Sequence, residues 1–318
     1  MEGAKLKTFA TVRLFSSASI AMVTILSIIF TSWLGANSLN WQVAMAVIAL
    51  AIGIPHGALD HLITLPRNRT FVMVLFISIY IAVALLAIWA ILRWNQWGFI
   101  GVVLMSATHF GIGDSAFITE LDRLSSRKGK SISVWAYASA AGLIPVVIPL
   151  VNSRSTAALE KVNSKLVNWH GGYSSQIIII IAAICTIAIL TLLSKKRYRD
   201  CADIFLLFAL VTFAPPLVAF ATYFGCWHAM RHTARLSSLL PASIINYQAG
   251  KSFAAFRSAV IPGLPALLGA AIFVPLLAGF ARESITDKFL WLALVTIWAL
   301  TVPHMLVTAR IDRAALKN

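Results

Sequence analysis

The chain has 318 residues, of which 59% are hydrophobic and only 12% are charged. Soluble domains carry about 25% charged residues, so this composition excludes an ordinary soluble protein and indicates a membrane protein with several spans. The net charge of +15 also occurs in nucleic-acid-binding proteins. Here, however, the basic residues form short clusters between apolar runs, which is the distribution typical of cytoplasmic loops. We therefore expect a lipid bilayer as the surrounding medium and no nucleic-acid partner.

Apolar runs long enough to cross a bilayer, about 20 residues each, follow one another along the chain. The first run follows Lys5, Lys7 and Arg13, and its length favours a retained span over a cleaved signal peptide. The predicted spans cover residues 14–34, 41–63, 70–93, 96–118, 132–151, 175–194, 200–214, 216–240, 253–280 and 288–309. The sequence therefore predicts an all-α, polytopic transmembrane helical bundle of about ten spans, forming a single domain over residues 1–318.

The boundary between the seventh and eighth spans depends on Pro215 and Pro216. Proline cannot continue the helical hydrogen-bond ladder and disfavours helix at the residue before it, so the chain is predicted to turn there. A single uninterrupted span is the alternative and gives nine spans. It would place His228 at the outer surface and would weaken the excess of Lys and Arg on the cytoplasmic side. Ten spans place both termini in the cytoplasm, in a multi-pass protein of the cell inner membrane.

Polar motifs interrupt four of these spans, at GIPHGALDH (53–61), HFGIGD (109–114), WHAMRH (227–232) and VPH (302–304). An ionised carboxylate at mid-bilayer costs about 2.5–3.5 kcal/mol, so intramembrane polar groups usually mark a functional site. His56, His109 and His228 fall at matched depth, and His232 shares a helix face with His228. The alternative is that these histidines are hydrogen-bonded packing residues. Four histidines at one depth, however, favour a metal centre. Neutral imidazole suits iron, copper or zinc.

Two carboxylates accompany these histidines. Asp60 lies four residues after His56, and Asp114 lies five residues after His109. A carboxylate near a metal-bound imidazole commonly accepts the other ring N–H and fixes the tautomer. We predict this role for both, with a helix-end cap as the alternative for Asp114.

Two further histidines lie within the same motifs. His304 follows Pro303 at a somewhat greater depth, and roles as a ligand, as an outer hydrogen-bond partner of the ligands, or in packing all remain open. His61 is turned roughly 140° away from His56 on a helix. We do not expect His61 to bind the same metal.

Aromatic and small residues surround the histidines. We predict a tunnel for a long hydrophobic substrate, with ordinary bundle packing as the alternative, and the aromatic residues assigned to it are Phe110, Tyr223, Phe224 and Trp227. Gly57, Gly111 and Gly113 either let helices approach closely or leave room for a slender substrate.

Together, PHGALDH, HFGIGD, WHAMRH and the late PH resemble the Brp/Blh family of membrane β-carotene 15,15′-dioxygenases, over residues 53–304. The resemblance implies cleavage of the central double bond of β-carotene with O₂ to give two all-trans-retinal molecules. It also implies a non-haem Fe(II) cofactor held by His56, His109, His228 and His232. A retinal-using microbial rhodopsin is the partner that the resemblance implies.

Other membrane proteins also gather histidines. Fatty-acid desaturases and hydroxylases use HxxHH boxes, and this chain has seven histidines and no such box. A metal or proton transporter would line a continuous polar path across the bilayer, whereas the outer halves of these helices are apolar. Another carotenoid- or lipid-modifying membrane metal oxygenase and a metal or proton transporter are the alternatives.

Overall fold

The computed structural model describes residues 1–34, 39–65, 69–126, 131–153, 155–281 and 285–317. Helices occupy nearly all of these ranges, and no strand occurs within them. The α-helices are α1 (Glu2–Leu34), α2 (Leu39–Gly53), α3 (Asp60–Thr64), α4 (Thr70–Arg93), α5 (Asn95–Leu124), α6 (Val134–Val151), α7 (Ser155–Asn163), α8 (Ser174–Ser194), α9 (Tyr198–Phe213), α10 (Pro216–Thr222), α11 (Met230–Ser237), α12 (Pro241–Gln248), α13 (Ser252–Val260), α14 (Pro265–Ala281) and α15 (Ile285–Lys317). The predicted all-α bundle is confirmed.

Eight helical segments of the described chain are long and apolar enough to cross a membrane. They are Glu2–Leu34, Asn40–Thr64, Thr70–Arg93, Asn95–Leu124, Val134–Val151, Ser174–Ser194, Ser252–Leu277 and Trp291–Lys317. The two remaining predicted spans are also helical, as α9 and as a continuous helix over 216–237, and the helix breaks at Ala214 and Pro215 as expected. Helix α9 has 16 residues, fewer than the ~20 of a full span. The count of ten spans stays a prediction.

Two of the segments that carry motif histidines depart from α-helical geometry. A 3₁₀ helix over Ile54–Leu59 follows α2, with Pro55 in its first turn. Proline lacks the N–H that an α-helix requires and clashes with the preceding turn. A π-helix over Tyr223–Ala229 joins α10 to α11, and such segments recur at functional sites. The spacing rules of a regular α-helix therefore do not apply at either place.

Helices α5 and α6 cross with their backbones in contact. A methyl group on Gly111 would collide with the carbonyl oxygen of Ala138, and one on Gly142 would collide with that of Ala107. Small residues at a crossing let two backbones come into contact. This reciprocal contact fixes the position of α5, which carries His109.

A buried set of ion pairs joins five helices, α1, α5, α9, α11 and α15. This set, the ion-pair layer, comprises Arg13, Glu120, Asp122, Arg197, Asp200, Asp203, Arg231, Arg235 and Asp312. Arg13 and Arg235 lie in helices, and both side chains are buried. Their partners lie far away in the chain, so local sequence gives no sign of the pairing.

Candidate metal centre

Five buried histidines from five helical elements lie together in the bundle. They are His56 of the 3₁₀ helix, His109 of α5, His228 of the π-helix, His232 of α11 and His304 of α15. The centroids of neighbouring rings lie between 5.0 and 6.2 Å apart. Two imidazoles that bind one metal at about 2.1 Å have ring centres roughly 4.6–6.5 Å apart. The spacing of the rings therefore matches that of a single metal centre.

Several ring nitrogens of this histidine cluster are buried and have no hydrogen-bond partner. They are Nε2 of His109, Nε2 of His228, both nitrogens of His232 and Nε2 of His304. A buried polar atom left unpaired costs about 1–3 kcal/mol, and native proteins tolerate few of them. Their concentration in one place fits a set of imidazoles that donate lone pairs to a metal ion.

The described side chains do not converge on one metal position. Among the described residues, no three His, Cys, Asp or Glu side chains are placed so that they could hold a metal ion. Imidazole torsions about the Cβ–Cγ bond are broad, so the rings can turn toward a common point without movement of the helices. The donor atoms and the ring spacing fit a metal, and the ring orientations would have to change on binding.

Asp60 is buried against His304 rather than against His56. Its two carboxylate oxygens lie 3.0 and 2.9 Å from Nδ1 of His304, and the hydroxyl of Tyr80 donates to Oδ2 at 3.1 Å. The predicted contact with His56 is wrong, because the 3₁₀ helix does not place residues four apart on one face. Nδ1 of His56 is hydrogen-bonded instead to the carbonyl oxygen of Gly53.

These contacts select one tautomer for each ring. When Nδ1–H donates to a carbonyl or carboxylate, the lone pair is on Nε2 and is available to a metal. His56 has a carbonyl partner at Nδ1, and His304 has a carboxylate partner. His304 thus has the environment of a ligand.

Asp114 bonds to aromatic side chains of the π-helix instead of to a histidine. Its Oδ2 accepts from Nε1 of Trp227 at 2.6 Å and from the hydroxyl of Tyr223 at 3.4 Å. It lies in the interior of α5, so the helix-end alternative is also wrong. The carboxylate joins α5 to the π-helix, and it positions His109 and His228 only through those backbones.

A cavity of about 260 Å³ borders the cluster. Helices α4, α14 and α15 and the 3₁₀ helix enclose it, with His56, His109 and His304 at its inner side. The opening is apolar, since the lining includes Ile81, which is 52% exposed, and Leu300 on the facing helix. The cavity therefore leads from the outer surface of the bundle to the histidines.

The predicted tunnel residues divide into two pairs. Phe110 and Phe224 line this cavity, whereas Tyr223 and Trp227 do not and are instead buried against Asp114. His61 lines the cavity too, but no ring contact joins it to the cluster within the described chain. The α4 wall was hard to predict from the sequence, because Tyr80 lies in a long apolar span.

Two of the motif glycines lie directly against histidine rings. A Cβ on Gly113 would lie 3.3 Å from Cε1 of His228, and one on Gly57 would lie 3.8 Å from Nδ1 of His304. Gly111, by contrast, contacts α6. The motif glycines therefore serve two purposes, helix contact at Gly111 and space for the rings at the other two.

The fold and the site define a polytopic all-α membrane protein with a cluster of histidines inside the bundle, beside an apolar cavity. A family model for β-carotene 15,15′-dioxygenase matches residues 45–312, and the chain belongs to this family. The resemblance seen in the motifs is thereby confirmed, and membership makes the chain a carotenoid-cleaving dioxygenase.

A related protein shows how far the similarity extends. The chain is 26% identical over 284 residues to a β-carotene 15,15′-dioxygenase of uncultured marine bacterium 66A03. The aligned region covers 86% of this chain and 94% of the relative. No solved structure matches.

Proposed function

We propose that this protein cleaves the central 15,15′ double bond of β-carotene with O₂ and releases two molecules of all-trans-retinal. The observation that carries the proposal is the direct contact between the buried histidine cluster and an apolar cavity open at the outer surface. In this reaction the central double bond breaks and each of its carbons becomes an aldehyde carbon. One O₂ supplies both aldehyde oxygens, so the balance requires no external reductant.

The cluster supplies neutral nitrogen donors for a non-haem Fe(II). His56, His109, His228 and His232 are the proposed ligands, and His304, with a free Nε2, is a fifth candidate. Imidazole suits iron and brings no charge into the bilayer. When bound, iron would supply the redox chemistry by which O₂ reacts with an alkene. The chain itself fixes the tautomers of His56 and His304 through Gly53 and Asp60.

The cavity explains how a hydrocarbon substrate reaches the cluster. β-Carotene is a rod about as long as the bilayer core is thick, roughly 30 Å, and it dissolves only there. Ile77, Ile81 and Leu300 line the cavity and are exposed on the face where lipid would lie. We infer that the carotenoid enters sideways from the bilayer, past α4.

The size of the cavity limits what it can hold. At about 260 Å³ it is smaller than the ~300–1,000 Å³ of most ligand pockets. It therefore fits the central part of the polyene, while the rest of the molecule extends through the opening. Its apolar walls exclude water from the reacting carbons.

The location of the protein follows from the same proposal. Apolar helices that could span a membrane indicate a membrane protein, and we propose the cell inner membrane with both termini in the cytoplasm. Retinal released there stays in the bilayer, where a retinal-binding rhodopsin could take it up.

The decisive experiment is expression in bacteria that accumulate β-carotene, with retinal and residual carotene quantified by chromatography. Wild-type protein should produce retinal as carotene disappears. His228→Ala should abolish retinal production and lower the iron content of the purified protein, because one ligand is lost. His61→Ala, at a cavity histidine outside the cluster, is the matched control and should keep its iron.

Two outcomes would contradict the proposal. Normal retinal output and normal iron content in His228→Ala would remove the histidine cluster from the reaction. Unchanged carotene in the presence of metal-loaded wild-type protein would favour another carotenoid- or lipid-modifying oxygenase.

A further inference from the structure

A second, smaller cavity of about 70 Å³ lies in the interior of the bundle between α5, α6, α7, α10 and α15. Its walls include Val102, Val103, Leu159 and Phe220. Among its described lining residues, two serines and the indole N–H of Trp298 supply the polar side-chain groups. Val102, Val103 and Leu159 are buried in the core. The proposed path of the carotenoid does not use this cavity.

The smaller cavity begins close to the histidine cluster. On α5, Ser106 and Val102 lie three and seven residues before His109, so all three share one helix face. At 1.5 Å per residue, they are roughly 5 and 10 Å from His109 along the helix axis. Phe220, on its wall, lies one turn before Phe224, on the wall of the larger cavity. The two cavities therefore approach the cluster from separate places.

The size and chemistry of this cavity select its occupant. Half of the carotenoid rod is roughly 15 Å long, which a cavity of about 70 Å³ cannot enclose. Apolar cavities of this kind stay dry and bind small apolar molecules such as xenon. The other substrate of the proposed reaction, O₂, is a small apolar molecule that dissolves well in lipid.

We propose that the smaller cavity is a holding site for O₂, which reaches the histidine cluster along the His109 face of α5. This proposal rests on the proposed function, because O₂ is the co-substrate there. Separate routes let O₂ arrive while the carotenoid fills the larger cavity. If O₂ had to use the same route, a bound carotenoid would block it. The carotenoid would then inhibit its own cleavage.

The test uses a variant that fills the cavity and a control on the neighbouring residue. Val103→Phe places a ring in the cavity, whereas Leu104→Phe makes a similar change at a side chain that is 58% exposed on the same helix. Leu159→Phe fills the cavity from α7 and provides a second variant if Val103→Phe does not fold. Crystals of each full-length protein are pressurised with xenon, and initial rates are measured over a range of O₂ and β-carotene concentrations.

We expect an anomalous xenon peak beside Val103 in the wild type and in Leu104→Phe, and none in the filled variants. The filled variants should show a several-fold higher KM for O₂, with kcat and the KM for β-carotene unchanged. An empty cavity in wild-type crystals under xenon would overturn the proposal. So would an unchanged KM for O₂ in both filled variants.

A rise in the KM for β-carotene instead would assign the cavity to part of the carotenoid and would also overturn the proposal. Failure of the proposed function is distinguishable from these results. In that case wild-type protein makes no retinal and the assignment to O₂ is lost, while the xenon peak still shows whether the cavity binds an apolar gas.

Discussion

The histidine cluster and the ion-pair layer are two buried polar regions of one bundle, and they satisfy their polar groups in opposite ways. In the ion-pair layer each guanidinium faces a carboxylate, as Arg13 does with Asp200 and Asp203 at 2.6 and 2.8 Å. In the cluster, ring nitrogens of four histidines have no partner. A buried charge must be paired, whereas a neutral imidazole can keep a free lone pair. The difference separates a region that holds helices together from one that can bind a ligand.

The strongest test of this contrast removes a carboxylate from the ion-pair layer. Asp203 accepts hydrogen bonds from Arg13, Arg231 and Ser17. Breaking a buried pair by removal of one partner costs about 3–5 kcal/mol, so Asp203→Ala should lose about that much unfolding free energy. Denaturant unfolding of the purified protein in detergent measures the loss.

Glu120→Ala is the matched control for that variant. The Glu120 side chain is 20% exposed, and Arg235 keeps Asp312 at 2.5 Å. This variant should lose much less stability, because solvent weakens the pair. Equal losses in the two variants would mean that burial of the pair does not set its contribution.

A second test changes the partner of one histidine. Asp60→Asn keeps the shape of the side chain but removes the charge that faces Nδ1 of His304. Loss of such an outer partner typically costs 10–100-fold in metal affinity or activity, and we expect a loss in this range. Iron titration of the purified protein gives the affinity, and retinal formation gives the activity.

Tyr80→Phe provides the comparison for Asp60→Asn. It removes only the hydroxyl that donates to Asp60 at 3.1 Å, so its effect should be smaller. Iron affinity that stays at the wild-type value in Asp60→Asn would exclude His304 as a ligand.

The smallest expected effect is at Trp227, which joins Asp114 of α5 to Arg231 of the ion-pair layer. Its Nε1 donates to Asp114 at 2.6 Å, and the Arg231 guanidinium lies 3.4 Å from its ring centroid. Trp227→Phe keeps a ring under the guanidinium and loses the N–H, which should cost about 1–2 kcal/mol of stability. Unfolding by denaturant measures this cost, and retinal output should be largely retained.

Trp227→Leu removes the aromatic face as well and should be less stable than Trp227→Phe. If the two variants were equally stable, the contact between Arg231 and the ring would contribute nothing measurable.

The sequence predicted much of the site because polar residues are so rare in its spans. The depths of His56, His109 and His228 follow from the positions of the spans, and the structure brings these three together with His232. The break before Pro216 was predictable for a similar reason, since proline cannot continue a helix. These predictions depend only on the chemistry of each residue type. They do not depend on which residues lie nearby in the folded protein.

The wrong predictions lie where the backbone departs from the α-helix, and the contacts that were missed join partners distant in the chain. The 3₁₀ helix at Pro55 separates Asp60 from His56, and a π-helix changes the direction in which Tyr223 and Trp227 point. The ion pairs of Arg13 join residues 187 and 190 positions apart. No pattern within a single span reveals such a partner.

The exposed mouth of the larger cavity, at Ile77 and Ile81, has a consequence for turnover. An enzyme that takes its substrate from the plane of the membrane responds to the number of carotenoid molecules per lipid, and not to their number per litre. Added lipid would then slow the reaction by surface dilution, even at a fixed total amount of enzyme and carotene. The rate in a cell would accordingly depend on how the carotenoid is distributed among membrane regions.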